Sequence, residues 1–133
     1  MAFVLDASTA LAWALREEDP RAQRARALII AESARVPALW WFELRNGLIV
    51  NERRGWITAA GTGSFLQQIA GLTIIVDSTP DEAAVMALAR RHRLTIYDAA
   101  YLELALREGI PLATLDAPLA AAARSEGVEL VGG

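Results

Sequence analysis

The chain has 133 residues, is 54% hydrophobic and carries a formal net charge of −3 at pH 7, the profile of one folded domain (residues 1–133) with enough apolar material for a core. It has no cysteine and one histidine, which excludes a disulfide scaffold and metal sites built on thiolates or several imidazoles. All 13 basic residues are arginine, so chemistry that needs a catalytic lysine is excluded, and the acidic balance speaks against a nucleic-acid coat protein but not against a nuclease.

Residues 2–5 read as a buried strand whose apolar run Phe3-Val4-Leu5 ends on Asp6. A helix is expected over about 8–16, and Pro20 starts a second one running to about residue 34. Residues 35–37 form a short extended piece before a long helix over 38–54. Thr58 can cap a helix over 59–70 that Gly71 closes. The β-branched run at 72–76 reads as a third strand, and Asp77-Ser78-Thr79-Pro80 leads into a helix ending near Arg93. A helix from about Asp98 to Gly109, a fourth strand at 110–114, a helix at 117–125 and a fifth strand at 128–131 complete the pattern. Such alternation predicts an α/β fold with a parallel sheet covered by helices on both faces. The longest uncharged run, residues 55–76, includes Gln67, Gln68 and four glycines, a poor bilayer span. No secretory signal is legible before Asp6, and a cytoplasmic protein without membrane association is expected.

Parallel strands finish on one edge, where ligands of open α/β sheets bind. Asp6 ends the first strand and Asp116 follows the run Leu112-Ala113-Thr114-Leu115, so two carboxylates far apart in sequence converge there. Asp6, Asp98 and Asp116 each also precede a helical pattern, and for each alone N-capping is the simpler reading. Glu43 is different, because it lies in the apolar helical stretch Trp40-Trp41-Phe42-Glu43-Leu44. At about 100° per residue, Arg45 and Glu52 mark a solvent face and Glu43 falls opposite, with Leu39, Trp40 and Val50. A glutamate facing the protein body needs a partner; an arginine and a metal ion are both open. Ser8, Thr114 and Asn46 stand at spacings that place polar groups beside Asp6, Asp116 and Glu43. Clustered carboxylates raise one another's pKa unless a cation neutralises them, and oxygen ligands of this kind suit Mg²⁺ or Mn²⁺.

The segments Val4-Leu5-Asp6-Ala7-Ser8, Glu43-Leu44-Arg45-Asn46, Tyr97-Asp98-Ala99-Ala100-Tyr101 and Leu112-Ala113-Thr114-Leu115-Asp116 resemble, in order and approximate spacing, those of PIN-domain ribonucleases, and specifically the VapC-type toxins of bacterial toxin–antitoxin pairs. The resemblance spans the chain. It implies a three-layer α/β/α sandwich around a parallel sheet of about five strands, and metal-dependent cleavage of RNA. It further implies Asp6, Glu43, Asp98 and Asp116 as ligands of Mg²⁺ or Mn²⁺, Thr114 and Ser8 as supporting or water-positioning groups, and Asn46 as the support of Glu43. A VapB-like antitoxin and a second copy of the chain are the implied protein partners.

Trp13, with Leu11, Ala14 and Leu15, is expected on a contact surface. The groups Arg21/Arg24/Arg26, Arg53/Arg54 and Arg90/Arg91/Arg93 are candidate phosphate contacts or solvated faces, and His92 reads as a surface residue. A phosphorelay receiver domain needs a lysine that the chain lacks, and a haloacid-dehalogenase-type phosphatase needs an aspartate where Ser8 stands. The stretch Gly61-Thr62-Gly63-Ser64 follows no strand and precedes no Lys-Ser/Thr, so it is not a nucleotide loop. The remaining rival is a PIN-like module that binds RNA or protein without cutting.

Overall fold

The computed structural model describes residues 2–133. Four parallel strands, β1 (Phe3–Leu5), β2 (Ala34–Pro37), β3 (Ile74–Asp77) and β4 (Leu112–Ala113), form a sheet in the order β3-β2-β1-β4. The helices are α1 (Ala7–Ala14), α2 (Pro20–Ala31), α3 (Leu39–Arg53), α4 (Ala59–Ala70), α5 (Glu82–His92), α6 (Ile96–Glu108) and α7 (Ala117–Ser125). One helical layer gathers around α1, which touches α2, α3 and α4; the other gathers around α6, which crosses β1, β2 and β4 and packs on α5 and α7. The sheet is thus enclosed in a three-layer sandwich. Its central strand is a continuous apolar run, Phe3, Val4 and Leu5, with no solvent exposure, as a strand covered on both faces must be. β3 is an edge strand, with Ile75 and Val76 exposed.

Several boundaries differ from expectation for local reasons. Helix α2 stops at Ala31 because Ala34 belongs to the sheet, pairing with both Phe3 and Ile74. The fifth strand shrinks to one bridge, Leu112 to Leu130, and Gly132 at φ 72° turns the chain away just beyond it. Helix α6 begins two residues before Asp98, since the Thr95 hydroxyl accepts from the Asp98 amide and serves as N-cap. Helix α3 crosses α1 closely at Gly47, where a Cβ would lie 2.9 Å from a Leu11 methyl. That approach holds α3, with Glu43 one turn earlier, against the element that follows β1.

Trp13 is buried rather than presented to a partner: its indole Nε1 donates to the Ala22 carbonyl at 2.7 Å and ties α1 to α2. His92 is likewise mostly covered, 2.6 Å from the Glu126 carboxylate that also receives Arg91 at 2.7 Å. The exposed face of α3 includes the side marked by Arg45 and Glu52 but is wider and more apolar than expected. It carries Trp41, Phe42 and Ile49, and the Arg45 guanidinium lies over the Trp41 ring at 3.9 Å, a cation–π contact that covers part of the indole.

Helix α5 ends on Arg93 in the left-handed region, φ 53°, a position at which a Cβ is unfavourable and glycine is preferred. Arg93→Gly is therefore expected to stabilise the protein by about 1 kcal/mol, read as a higher urea midpoint at unchanged slope.

Candidate active site

The parallel pairing Leu5↔Ala113 sets the geometry of the sheet edge. It carries Asp6, whose amide donates to Ala113 O at 3.0 Å, alongside Thr114. Thr114 Oγ1 donates to Asp6 Oδ2 at 2.6 Å and Ser8 Oγ donates to the same oxygen at 2.8 Å. Each hydroxyl in turn accepts a backbone amide of the β4–α7 loop: Asp116 N to Thr114 at 3.0 Å, Leu115 N to Ser8 at 3.0 Å. A hydroxyl has one proton, and the incoming amides direct both protons onto Asp6. Ser8 and Thr114 therefore hold the carboxylate and the loop bearing Asp116 in one net.

Asp6 occupies the N-cap position of α1 but makes no side-chain capping bond, so capping does not explain it. Burial raises its pKa to about 6; the two hydroxyl bonds pull the other way, and the charges of Glu43 and Asp98 add to the rise. Asp116 does cap: its Oδ2 accepts from Leu119 N at 3.0 Å at the start of α7. Asp98 does not, because Thr95 has that role and Asp98 sits in the first turn of α6. Partial burial raises the Asp98 pKa, Asp116 raises it further, and the Thr95 hydroxyl opposes the shift.

Glu43 is half-buried on α3, and among the described residues no arginine pairs with it. Its Oε1 accepts from the phenol of Tyr101 at 2.7 Å. Burial raises its pKa, the phenol lowers it, and the Asp98 charge raises it. Among the described residues no hydrogen bond joins Asn46 to Glu43; Asn46 is exposed on the next turn, in an open depression that Glu43 itself lines together with Leu39, Phe42 and Tyr97. Tyr101 thus takes the place expected of Asn46. The sequence signal for it is spacing, since it follows Asp98 by three residues and shares its helix face.

Mutual repulsion connects all four acids: Asp6 with Glu43 and Asp98, Glu43 with Asp98, and Asp98 with Asp116. Among the described residues no salt bridge engages any of them. Nor do three acidic or histidine side chains form a ready-made metal cage. The donors fit a divalent cation in kind: oxygen only, partly dehydrated, and uncompensated by positive charge.

Glu103, also in α6, belongs to a different structure. It is 2% exposed, and Arg107 bridges it to Asp77 at the end of β3. Of the arginine groups, Arg21 is paired with Asp19 and Arg91 with Glu126, while Arg24, Arg26, Arg53, Arg54, Arg90 and Arg93 are exposed. No helix among the described residues is long and apolar enough to cross a membrane.

The chain is similar to known proteins in sequence and in fold. The family model of the PIN domain matches residues 3–130. The chain is 34% identical over 123 residues to Ribonuclease VapC3 of Pyrobaculum aerophilum, covering 90% of this chain and 93% of that protein. The crystal structure of PAE2754, also from Pyrobaculum aerophilum, superposes with a TM-score of 0.67 at 27% identity, covering 92% of this chain and 87% of the other.

Proposed function

The chain belongs to the PIN-domain family, in its VapC group, and from that premise we propose that it is a divalent-metal-dependent endoribonuclease, the toxin of a toxin–antitoxin pair. The observation that carries the reading is Asp6. Its buried carboxylate forgoes the helix cap beside it, is gripped by two hydroxyls, and faces two further acids, Glu43 and Asp98, without a cation among the side chains.

Asp6, Glu43, Asp98 and Asp116 are the residues that would hold Mg²⁺ or Mn²⁺. When bound, such an ion supplies a water of lowered pKa and positive charge against the phosphodiester oxygens. Ser8 and Thr114 keep Asp6 Oδ2 occupied and so orient the carboxylate; Tyr101 does the same for Glu43. The Asp116 side chain is steadied by the first turn of α7. No lysine exists to act as base, and His92 is engaged by Glu126. The proton of the attacking water would therefore pass to a carboxylate of the site or to bulk water.

In this reading the chain is a single cytoplasmic domain that takes RNA as substrate, a VapB-like antitoxin as inhibitor and a second copy of itself as partner. Exposed Trp41, Phe42, Ile49, Ile96 and Tyr97 supply apolar surface for protein partners. The purified protein is expected to cleave single-stranded RNA with Mg²⁺ or Mn²⁺, to stop in EDTA, and to resume when excess Mn²⁺ is added. Full cleavage in EDTA would overturn the metal requirement. RNA binding without cleavage under any metal would identify the protein as a non-cutting module.

A further inference from the structure

Three of the four carboxylates have one oxygen committed to a protein donor. Asp6 holds Oδ2 against Ser8 and Thr114, Asp116 gives Oδ2 to the Leu119 amide, and Glu43 gives Oε1 to Tyr101. Among the described residues no hydrogen bond reaches the second oxygen of any of the three. The donors at Asp6 and Asp116 come from segments adjacent to those acids in the chain or paired with them in the sheet. The donor at Glu43 comes from 58 residues away, on a different helix.

Tyr101 is wholly buried, so its hydroxyl must find a partner inside the protein. Many arrangements would satisfy it; the one present spends its proton on a carboxylate of the site. Helix α6, which carries Tyr101, packs across β1, the strand that ends at Asp6. Three residues earlier on its own helix stands Asp98. One rigid ring thereby connects the elements that bear Asp6, Glu43 and Asp98.

We propose that Tyr101 is a positioning residue for the metal site: by holding Glu43 Oε1 it leaves Oε2 as the single oxygen that Glu43 offers to a divalent cation. The inference rests on the metal-dependent reading above. A carboxylate free to rotate or to bind through both oxygens suits the larger, irregular shell of Ca²⁺, whereas one presented oxygen suits the strict octahedron of Mg²⁺ or Mn²⁺. Donors of this kind behind a ligand typically change metal affinity or activity by about 10–100-fold when removed.

Mn²⁺ binding to the purified protein, followed by titration calorimetry, tests this separately from cleavage. Tyr101→Phe is expected to weaken Mn²⁺ binding about ten-fold, and to raise by the same factor the Mn²⁺ needed for half-maximal cleavage, with the KM for RNA unchanged. In a Glu43→Gln background the same substitution is expected to have no further effect. Wild-type Mn²⁺ affinity in Y101F, or effects of Y101F and E43Q that simply multiply, would overturn the proposal while leaving the metal-dependent reading intact. A wild-type protein that binds no Mn²⁺ would remove that reading and the proposal with it. If Y101F does not fold, 3-fluorotyrosine labelling keeps the hydroxyl: in a Tyr97→Phe background that leaves one tyrosine, Mg²⁺ should shift the ¹⁹F resonance of residue 101 in the wild type but not in E43Q. A resonance at 101 that Mg²⁺ leaves unmoved would equally overturn the proposal.

Discussion

Asp6→Asn is expected to abolish RNA cleavage and, at the same time, to raise the melting temperature of the metal-free protein at pH 7. The loss follows from removing the charge at the centre of the acidic edge. The gain follows from the cost of ionising Asp6 where it stands, buried and facing Glu43 and Asp98, with a pKa of about 6 against an ordinary 3.8. A rise of about two units corresponds to about 3 kcal/mol, an upper bound because the neutral amide oxygen accepts more weakly from Ser8 and Thr114 than a carboxylate does and the new NH2 group needs partners of its own. Since the folded-state value is the higher one, the site's contribution to stability is complete below pH 3.8 and is lost as pH rises through 6. Elsewhere the sign is opposite: Asp19, lowered to about 2 by Arg21, and Asp77, lowered by Arg107, favour the fold as pH rises. Thermal melts in EDTA from pH 4 to 7 should therefore be read as the difference between wild type and variant, which should widen across that window. Mg²⁺ should then stabilise the wild type and not D6N. A variant less stable than the wild type at pH 7 in EDTA would refute this account of Asp6.

Arg107→Ala should have the largest effect on folding, a loss of about 3 kcal/mol. Arg107 Nε and Nη2 donate to the two oxygens of Glu103 at 2.7 and 3.1 Å, and Nη1 and Nη2 to those of Asp77 at 3.2 and 2.7 Å. Both carboxylates hold the guanidinium pKa above its usual range. Without it Glu103, 2% exposed, keeps only a 3.4 Å bond from the Asp81 amide. An uncompensated buried charge is the expensive outcome, not the missing pair itself. Glu103→Gln in the R107A background should accordingly recover part of the loss. Chemical denaturation of the two single variants and the double variant checks this, and a double variant no more stable than R107A would count against it.

The strand ends were legible because apolar runs stop abruptly at Asp6 and before Asp116. Glu43 was legible because a helix has a phase. The same phase found one side of the outer face of α3 but not its extent, for a physical reason: Trp41, Phe42 and Ile49 stay exposed although apolar, and Arg45 folds back onto the Trp41 indole between them. Periodicity assigns faces by polarity and fails where a surface is itself apolar. Tyr101 was hidden because a tyrosine in an apolar helix reads as core, which it also is; its hydroxyl is what leaves the core. Glu103 carried a readable signal in Arg107, four residues on, but not Asp77, which only the fold brings near. Trp13 read as contact surface because a sequence cannot show that the Ala22 carbonyl lies within reach of its indole.

The hydroxyl net around Asp6 joins residues 108 positions apart in the chain. Three of the acids have been synthesised by residue 98, yet Thr114 and Asp116 arrive only with β4, the strand that completes the other flank of β1. A chain still emerging from a ribosome thus has its first strand bare on one side and Asp6 without the hydroxyl that holds it. Topology of this kind makes assembly wait for a contact that is distant in sequence. The acidic edge therefore closes only once β4 has been made and has paired with β1, so the site is a late product of folding and not of any local segment.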